Sequence, residues 1–353
     1  MKITDCIYFY LGQQGGIRSW SNSIVIKGDK TILIDPGSNI EYHLADLTWA
    51  MAEDEADITK IDEIWLTHGH PDHAEAAEVL SKRYKIKKVK CHYLAGNALG
   101  GSGVMSKFLI VFLKEAIRGK KIVKTPPFFG GKVLLRILFS SPKKVFQVIL
   151  WIMARIMEAI FGKWLPASNL EVFDEEEIIK ISPEIKVIFF PGHTPEEIGF
   201  WLEGEKALII GDLINTGFNR GTMPAINNPR GNFNDALSSV KKMSALPIEI
   251  LIPAHGIPIR GKQIIEMLFR KLITRMERHR ELVKKRVEEK PRLKYELDEL
   301  SGLVLSDLPP RGISNAEKKQ YLSAVCDSLG YYDDGNGKNG KSGDNNKNNN
   351  KKP

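Results

Sequence analysis

Seven side chains suited to binding divalent metals recur along this 353-residue chain: His68, His70, Asp72, His73, His193, Asp212 and His255. Four of them crowd into Thr67-His68-Gly69-His70-Pro71-Asp72-His73. Imidazole and carboxylate suit zinc, and a loop that merely connects two elements has no packing reason to hold so many. Gly69 and Pro71 fix a backbone that neither helix nor strand would supply, and the alternation turns His68 and His70 the same way. Taken singly, His193 or His255 would read as a satisfied structural histidine and Asp212 as a turn former, so the inference rests on the set. Five of the eight histidines belong to it, which leaves His43, His92 and His279 as ordinary residues.

The elements around these residues explain how distant positions could meet. Ile64-Trp65-Leu66 reads as a short buried strand running into the four-ligand turn, and Ala74 to Ser81 reads as a helix that Asp72 and His73 open. Further strands are expected at Lys186 to Phe190 before His193, Ala207 to Ile210 before Asp212, and Ile250 to Ile252 before His255. Every candidate ligand therefore follows a strand, and the carboxyl ends of neighbouring strands converge on a common crevice. Asn22 to Ile26 and Thr31 to Ile34 read as strands around a Gly28-Asp29 turn.

In this order the residues resemble the HxHxDH…H…D…H signature of the metallo-β-lactamase superfamily, over roughly residues 1–95 and 166–265. That resemblance implies an α/β fold, a four-layer αβ/βα sandwich. It also implies two divalent metal ions, zinc first, with iron and manganese as the other candidates. His68, His70 and His193 would hold one metal, Asp72, His73 and His255 the other, with Asp212 bridging. Asp35-Pro36-Gly37 resembles the family's strand-end motif, whose Asp supports the metal site from beneath. The chain departs from the family at Ala74-Glu75-Ala76-Ala77, where a Gly-Gly pair is common, and at Glu196-Glu197, where a Gly is common. Neither change removes a ligand. Residues beside a pocket mouth shape what enters, so both bear on the substrate.

Two metals about 3.5–4 Å apart can acidify a bridging water, hold the resulting hydroxide and polarise the carbonyl or phosphoryl oxygen it attacks. No protein nucleophile is then needed. The chain has no Gly-x-Ser-x-Gly elbow, and Cys6, Cys91 and Cys326 are widely spaced. Asp72 is the candidate catalytic residue, orienting the water as well as binding metal. The expected reaction is hydrolysis of an ester, thioester or lactone in a small-molecule or acyl, lipid-like substrate. A phosphodiesterase or endoribonuclease would use the same ligands, and a non-enzymatic scaffold would not need all seven.

Residues 95–165 are expected to form a helical insertion, both apolar and basic. Met105 to Leu165 carries twelve Lys and Arg against Glu115 and Glu158, a net charge of +10 where the whole chain totals +8. Val104 to Leu113 and Val145 to Phe161 are apolar helical stretches. This pattern fits a lid, a dimer contact or an interfacial helix on an anionic membrane better than a nucleic-acid track, which favours aromatic platforms. The 17 residues from Val145 to Phe161 fall short of the roughly 20 needed to span a bilayer and include Arg155.

The expected organisation is a core in two parts, 1–94 and 166–260, around the insertion. A helical region over 261–330 and a disordered tail over 331–353 follow. Gly261 to Lys290 reads as one long helix with Ile264, Ile265, Leu268, Leu272 and Met276 as its buried stripe. Lys294 to Leu300 and Asn315 to Leu329 read as two more helices. With no disulfide framework and no signal-peptide pattern at the N-terminus, a cytoplasmic enzyme is expected, peripheral to the inner face of the membrane if the insertion binds lipid.

Overall fold

The computed structural model describes residues 1–13, 20–54, 56–92, 94–95, 170–173, 177–216, 224–226, 231–291, 297–304 and 315–331. Apart from Ala95, the segment read as a helical insertion lies outside the described residues, and so does the tail beyond Tyr331. Two six-stranded sheets form the centre. The first holds β1 (Ile7–Tyr10), β2 (Ser23–Ile26), β3 (Ile32–Ile34), β4 (Glu63–Trp65), β5 (Lys88–His92) and β6 (Leu170–Phe173) in sequence order. β1 to β3 pair antiparallel, and β3 to β6 pair parallel. The second holds β7 (Ile178–Ile179), β8 (Ile185–Phe189), β9 (Ile198–Leu202), β10 (Ala207–Ile210), β11 (Ile250–Pro253) and β12 (Ile259–Arg260). Its β10–β11 pair is parallel and the rest are antiparallel.

β1, β3, β10 and β11 read as unbroken apolar runs because both sheet faces are covered there. In β3, Ile32 and Ile34 face the second sheet while Leu33 packs on helices. In β10, Ala207 and Ile209 face inward while Leu208 and Ile210 face out. The inter-sheet layer is centred on Trp65, whose ring meets Phe173 at 5.1 Å and Phe200 at 5.3 Å. Helices α1 (Glu41–Glu53) and α2 (Pro71–Tyr84) cover the first sheet through Leu44, Leu47, Met51, Ala77 and Leu80. Helices α3 (Phe233–Ser244), α4 (Lys262–Glu289), α5 (Leu297–Val304) and α6 (Asn315–Ser328) cover the second. The result is the four-layer αβ/βα sandwich, with the C-terminal helices attached to one outer side.

One detail of the long helix differs from expectation. Its buried stripe runs through Ile265, Phe269, Leu272, Met276, His279, Val283 and Val287, and Ile264 is 54% exposed. At 100° per residue Ile264 lies well off the line that steps of three and four trace from Ile265, so its hydrophobicity does not decide its placement. Among the described residues no helix is long and apolar enough to cross a membrane.

Candidate metal centre

The turn after β4 is built to present ligands. Pro71 occupies the first turn of α2, where a missing N–H costs nothing, and Asp72 beside it is favoured by the helix dipole. The turn after β8 is pinned from the other side. Gly192 (φ +150) packs so tightly on α3 that a Cβ would stand 2.5 Å from Ala236 Cα, and its carbonyl accepts from Asn232 N at 2.9 Å. β10 and β11 run parallel and release Asp212 and His255 at the same end. The ligands thus come from the ends of β4, β8, β10 and β11, in both sheets.

All seven predicted residues converge there, in two groups. His68, His70, His193 and Asp212 form one, and Asp72, His73, Asp212 and His255 the other; within each, one ligand atom per residue lies within 4.8 Å of the rest. Asp212 belongs to both, with Oδ2 3.4 Å from His193 Nε2 and Oδ1 3.2 Å and 3.3 Å from the Nε2 atoms of His73 and His255. Asp72 Oδ2 stands 3.3 Å from His255 Nε2. His43, His92 and His279 lie in neither group. Their rings instead meet Pro36 O, Phe189 and Tyr321 respectively.

The surrounding hydrogen bonds set the tautomers. Asp35 is wholly buried and held at φ +48, a left-handed conformation that Asp tolerates better than most residues. Its Oδ1 accepts from Thr67 N, and its Oδ2 accepts from Thr67 Oγ1 (2.6 Å) and His73 Nδ1 (2.9 Å). The Thr67 hydroxyl has spent its proton on Asp35, so at 3.1 Å it accepts from His68 Nδ1. His193 Nδ1 donates to Ala225 O at 3.0 Å. With Nδ1 protonated, each of these three rings turns an Nε2 lone pair toward the cluster.

Those lone pairs have nowhere else to go. His70 Nδ1 lies 2.9 Å from His68 Nε2 and 3.0 Å from His193 Nε2, so three ring nitrogens share at most one proton unless a cation takes its place. His73 Nε2 and Asp212 Oδ1 are buried without a hydrogen-bond partner. The donor set fits divalent metal, with imidazole nitrogens dominating one group and carboxylates added in the other. Electrostatics agree. Burial, reinforced by the neighbouring histidines, holds His68 well below its ordinary value and brings His70 down to about 3, so both rings are neutral, the form that could bind a metal. Burial opposes charge on His73 as well, but Asp212, Asp72 and Asp35 together raise it well above the ordinary histidine value, so its Nε2 offers a lone pair once a cation displaces the second proton. Burial works against ionised Asp212 too, yet His255 and His73 hold it well below the usual carboxylate range.

Supporting residues without an expected role also appear. Thr67 opens the histidine-rich motif, yet its type alone assigns it no task there. Glu197, expected near the pocket mouth, is instead fully buried; its Oε1 accepts from Leu213 N at 2.9 Å and lies against Gly211, bracing the turn that carries Asp212. Glu75 likewise points inward, accepting from Ser38 Oγ at 2.9 Å.

The chain belongs to the metallo-beta-lactamase superfamily, whose family model matches residues 20–255. It is accordingly a metal-dependent hydrolase of that fold. A Bacillus subtilis (strain 168) protein, "Probable metallo-hydrolase YqjP", is 21% identical over 280 residues, 77% of each chain. The Haemophilus influenzae protein "Hydroxyacylglutathione hydrolase GloC" is 24% identical over 229 residues, 64% of this chain and 79% of that one. Among solved structures, a metallo-beta-lactamase family protein from Thermus thermophilus superposes with a TM-score of 0.65 at 16% identity, covering 93% of this chain and 94% of its own. That likeness extends the fold match through the C-terminal helices.

Proposed function

We infer that the protein hydrolyses an ester, thioester or lactone bond with two divalent metal ions, zinc first among them. The observation that carries this reading is Asp212 standing between the two ligand groups with one carboxylate oxygen toward each. His68, His70 and His193 would hold one ion, and Asp72, His73 and His255 the other, with Asp212 shared. Bound there, such ions acidify water and polarise the oxygen of the bond under attack. The chain's own residues do the rest. Asp35, Thr67 and Ala225 O keep Nδ1 protons on His73, His68 and His193, so their Nε2 atoms stay available. The Asp72 side chain is 29% exposed while that of His73 is sealed, so its carboxylate can reach both the cluster and an entering substrate, orient the water and take its proton. The acyl reading, thioester included, draws support from the relative named hydroxyacylglutathione hydrolase, which the chain matches over most of that protein's length.

The test is a hydrolysis screen on metal-reconstituted protein over acyl thioesters, lactones, aryl esters, bis-aryl phosphodiesters and RNA, with metal content measured on the same preparation. Turnover of a thioester, ester or lactone is expected, at two metal equivalents. Turnover confined to phosphodiesters or RNA would replace the acyl reading with the phosphoryl one. Less than one equivalent would sink the two-metal site.

A further inference from the structure

Three consecutive residues at the head of β2 reach three members of the second ligand group, Asp72, His73 and His255, directly or through one neighbour. Ser21 N donates to Asp72 O at 2.9 Å. Ser23 Oγ donates at 2.7 Å to the backbone carbonyl of Asp35, whose side chain holds His73. Between them Asn22, wholly buried, crosses from the first sheet to the turn that carries His255 in the second. Its backbone N–H donates to Ala254 O at 2.7 Å, and its Nδ2 donates both protons, to Pro253 O and Gly256 O, each at 2.9 Å. Its Oδ1 accepts from Gly12 N at 2.8 Å. Three carbonyls of the Pro253-Ala254-His255-Gly256 turn thus end on one asparagine, and every polar atom of the Asn22 side chain is used.

We propose that Asn22 is a positioning residue for the second metal, fixing His255 opposite Asp72 and His73 independently of the first metal's ligands. This rests on the two-metal reading above. The strand SIVI that follows Asn22 is buried throughout, so packing alone does not ask for an amide at its head. The turn it holds needs outside support, because Gly256 (φ +104) follows β11 in a conformation that favours glycine and its carbonyl would otherwise be buried unpaired. Asn22 makes none of the contacts that orient the first group, where His68 rests on Thr67 and His193 on Ala225. Losing its two donated bonds therefore loosens one site and spares the other.

The experiment is metal titration of metal-free protein with zinc against a chromophoric chelator, for wild type, Asn22→Asp and Asn22→Ser, with the thermal midpoint of each metal-free protein alongside. Asn22→Asp keeps the acceptor for Gly12 N but removes both donors and turns a charge on two carbonyls. Asn22→Ser keeps a smaller polar group should the first variant fold poorly. Expected is one equivalent bound as tightly as in wild type and the other weakened about 10–100-fold, the range typical of residues that orient a ligand. His255→Ala should show the same split. Two equivalents bound with wild-type affinity in both Asn22 variants overturns the proposal. So does equal weakening at both sites in step with a lowered midpoint, which is the mark of a purely structural role. Should wild type itself bind only one equivalent, the two-metal reading falls and takes this one with it.

Discussion

Asp35 Oδ2 and His73 Nδ1 lie 2.9 Å apart with no solvent on either side, and the same oxygen accepts from Thr67 Oγ1 at 2.6 Å. One carboxylate therefore sets the ring of a ligand in the second group directly and, through Thr67, the ring of His68 in the first. Asp35→Ala should weaken both metals, in contrast to the one-sided effect expected at Asn22. A loss of about 10–100-fold at each site in a zinc titration is the expected size. The metal-free protein should also lose stability, since the mutation strands three buried donors at roughly 1–3 kcal/mol apiece before relaxation. Chemical denaturation of the metal-free variant reads that part.

Asp72 separates binding from chemistry less cleanly, because one side chain serves both. Asp72→Ala should cut turnover by at least about 10²-fold while the fold survives, as the side chain is partly exposed and its nearest polar partner is another member of the cluster, His255. Circular dichroism and the metal-free thermal midpoint check the fold, and saturating metal in the assay separates lost affinity from lost catalysis. Retained activity would mean that the first group alone suffices.

Glu197 gives a pH dependence whose sign is fixed by its surroundings. Burial above all, with the nearby charge of Asp212, raises its carboxyl well above the ordinary glutamate value, against the lowering effect of Leu213 N–H. The folded chain therefore holds a proton that the unfolded chain releases near pH 4.5. Its contribution to stability is complete below that pH and is lost as pH rises toward the folded value. Glu197→Gln keeps an acceptor for Leu213 N without the titration. Its thermal midpoint, measured without metal, should gain on wild type progressively as the pH rises from about 5 to about 8. A difference that stays constant over that span would show that Glu197 carries no proton.

The convergence of the seven candidate ligands and the four strands that present them are legible in the sequence because their signals are local. A strand ending in a histidine or aspartate declares its element and marks a candidate ligand, and α2 follows to within a few residues from the run after His73. β1 and β9 escape such a reading. Ile7–Tyr10 and Ile198–Leu202 are buried on both faces, so neither shows the period-two alternation that separates a strand from any short apolar run. α1 is hidden for a different reason: Tyr42 and Trp49 are 71% and 62% exposed, which blurs the stripe formed by Leu44, Leu47 and Met51. The supporting roles of Thr67, Asn22 and Glu197 depend on contacts between residues up to 234 positions apart, as in the bond from Asn22 to Gly256 O, and no local pattern encodes such a contact.

Residues 95–165 lie almost wholly outside the described residues, so the reading of them stays with the sequence: we propose that they meet an anionic membrane surface. The net +10 between Met105 and Leu165 accompanies apolar stretches too broad for one buried helix face. Each Lys or Arg near such a surface contributes about 1 kcal/mol before screening, and several acting with Trp151 and Phe161 would hold the protein reversibly. Because the attraction is electrostatic, salt should release it. Co-sedimentation with phosphatidylserine-containing and purely zwitterionic vesicles, at low and high salt, should show binding only to the former and only at low salt. If the protein ignores both vesicles while deletion of residues 104–161 unfolds it or dissolves a dimer, the segment serves the fold or the dimer and the lipid proposal is wrong.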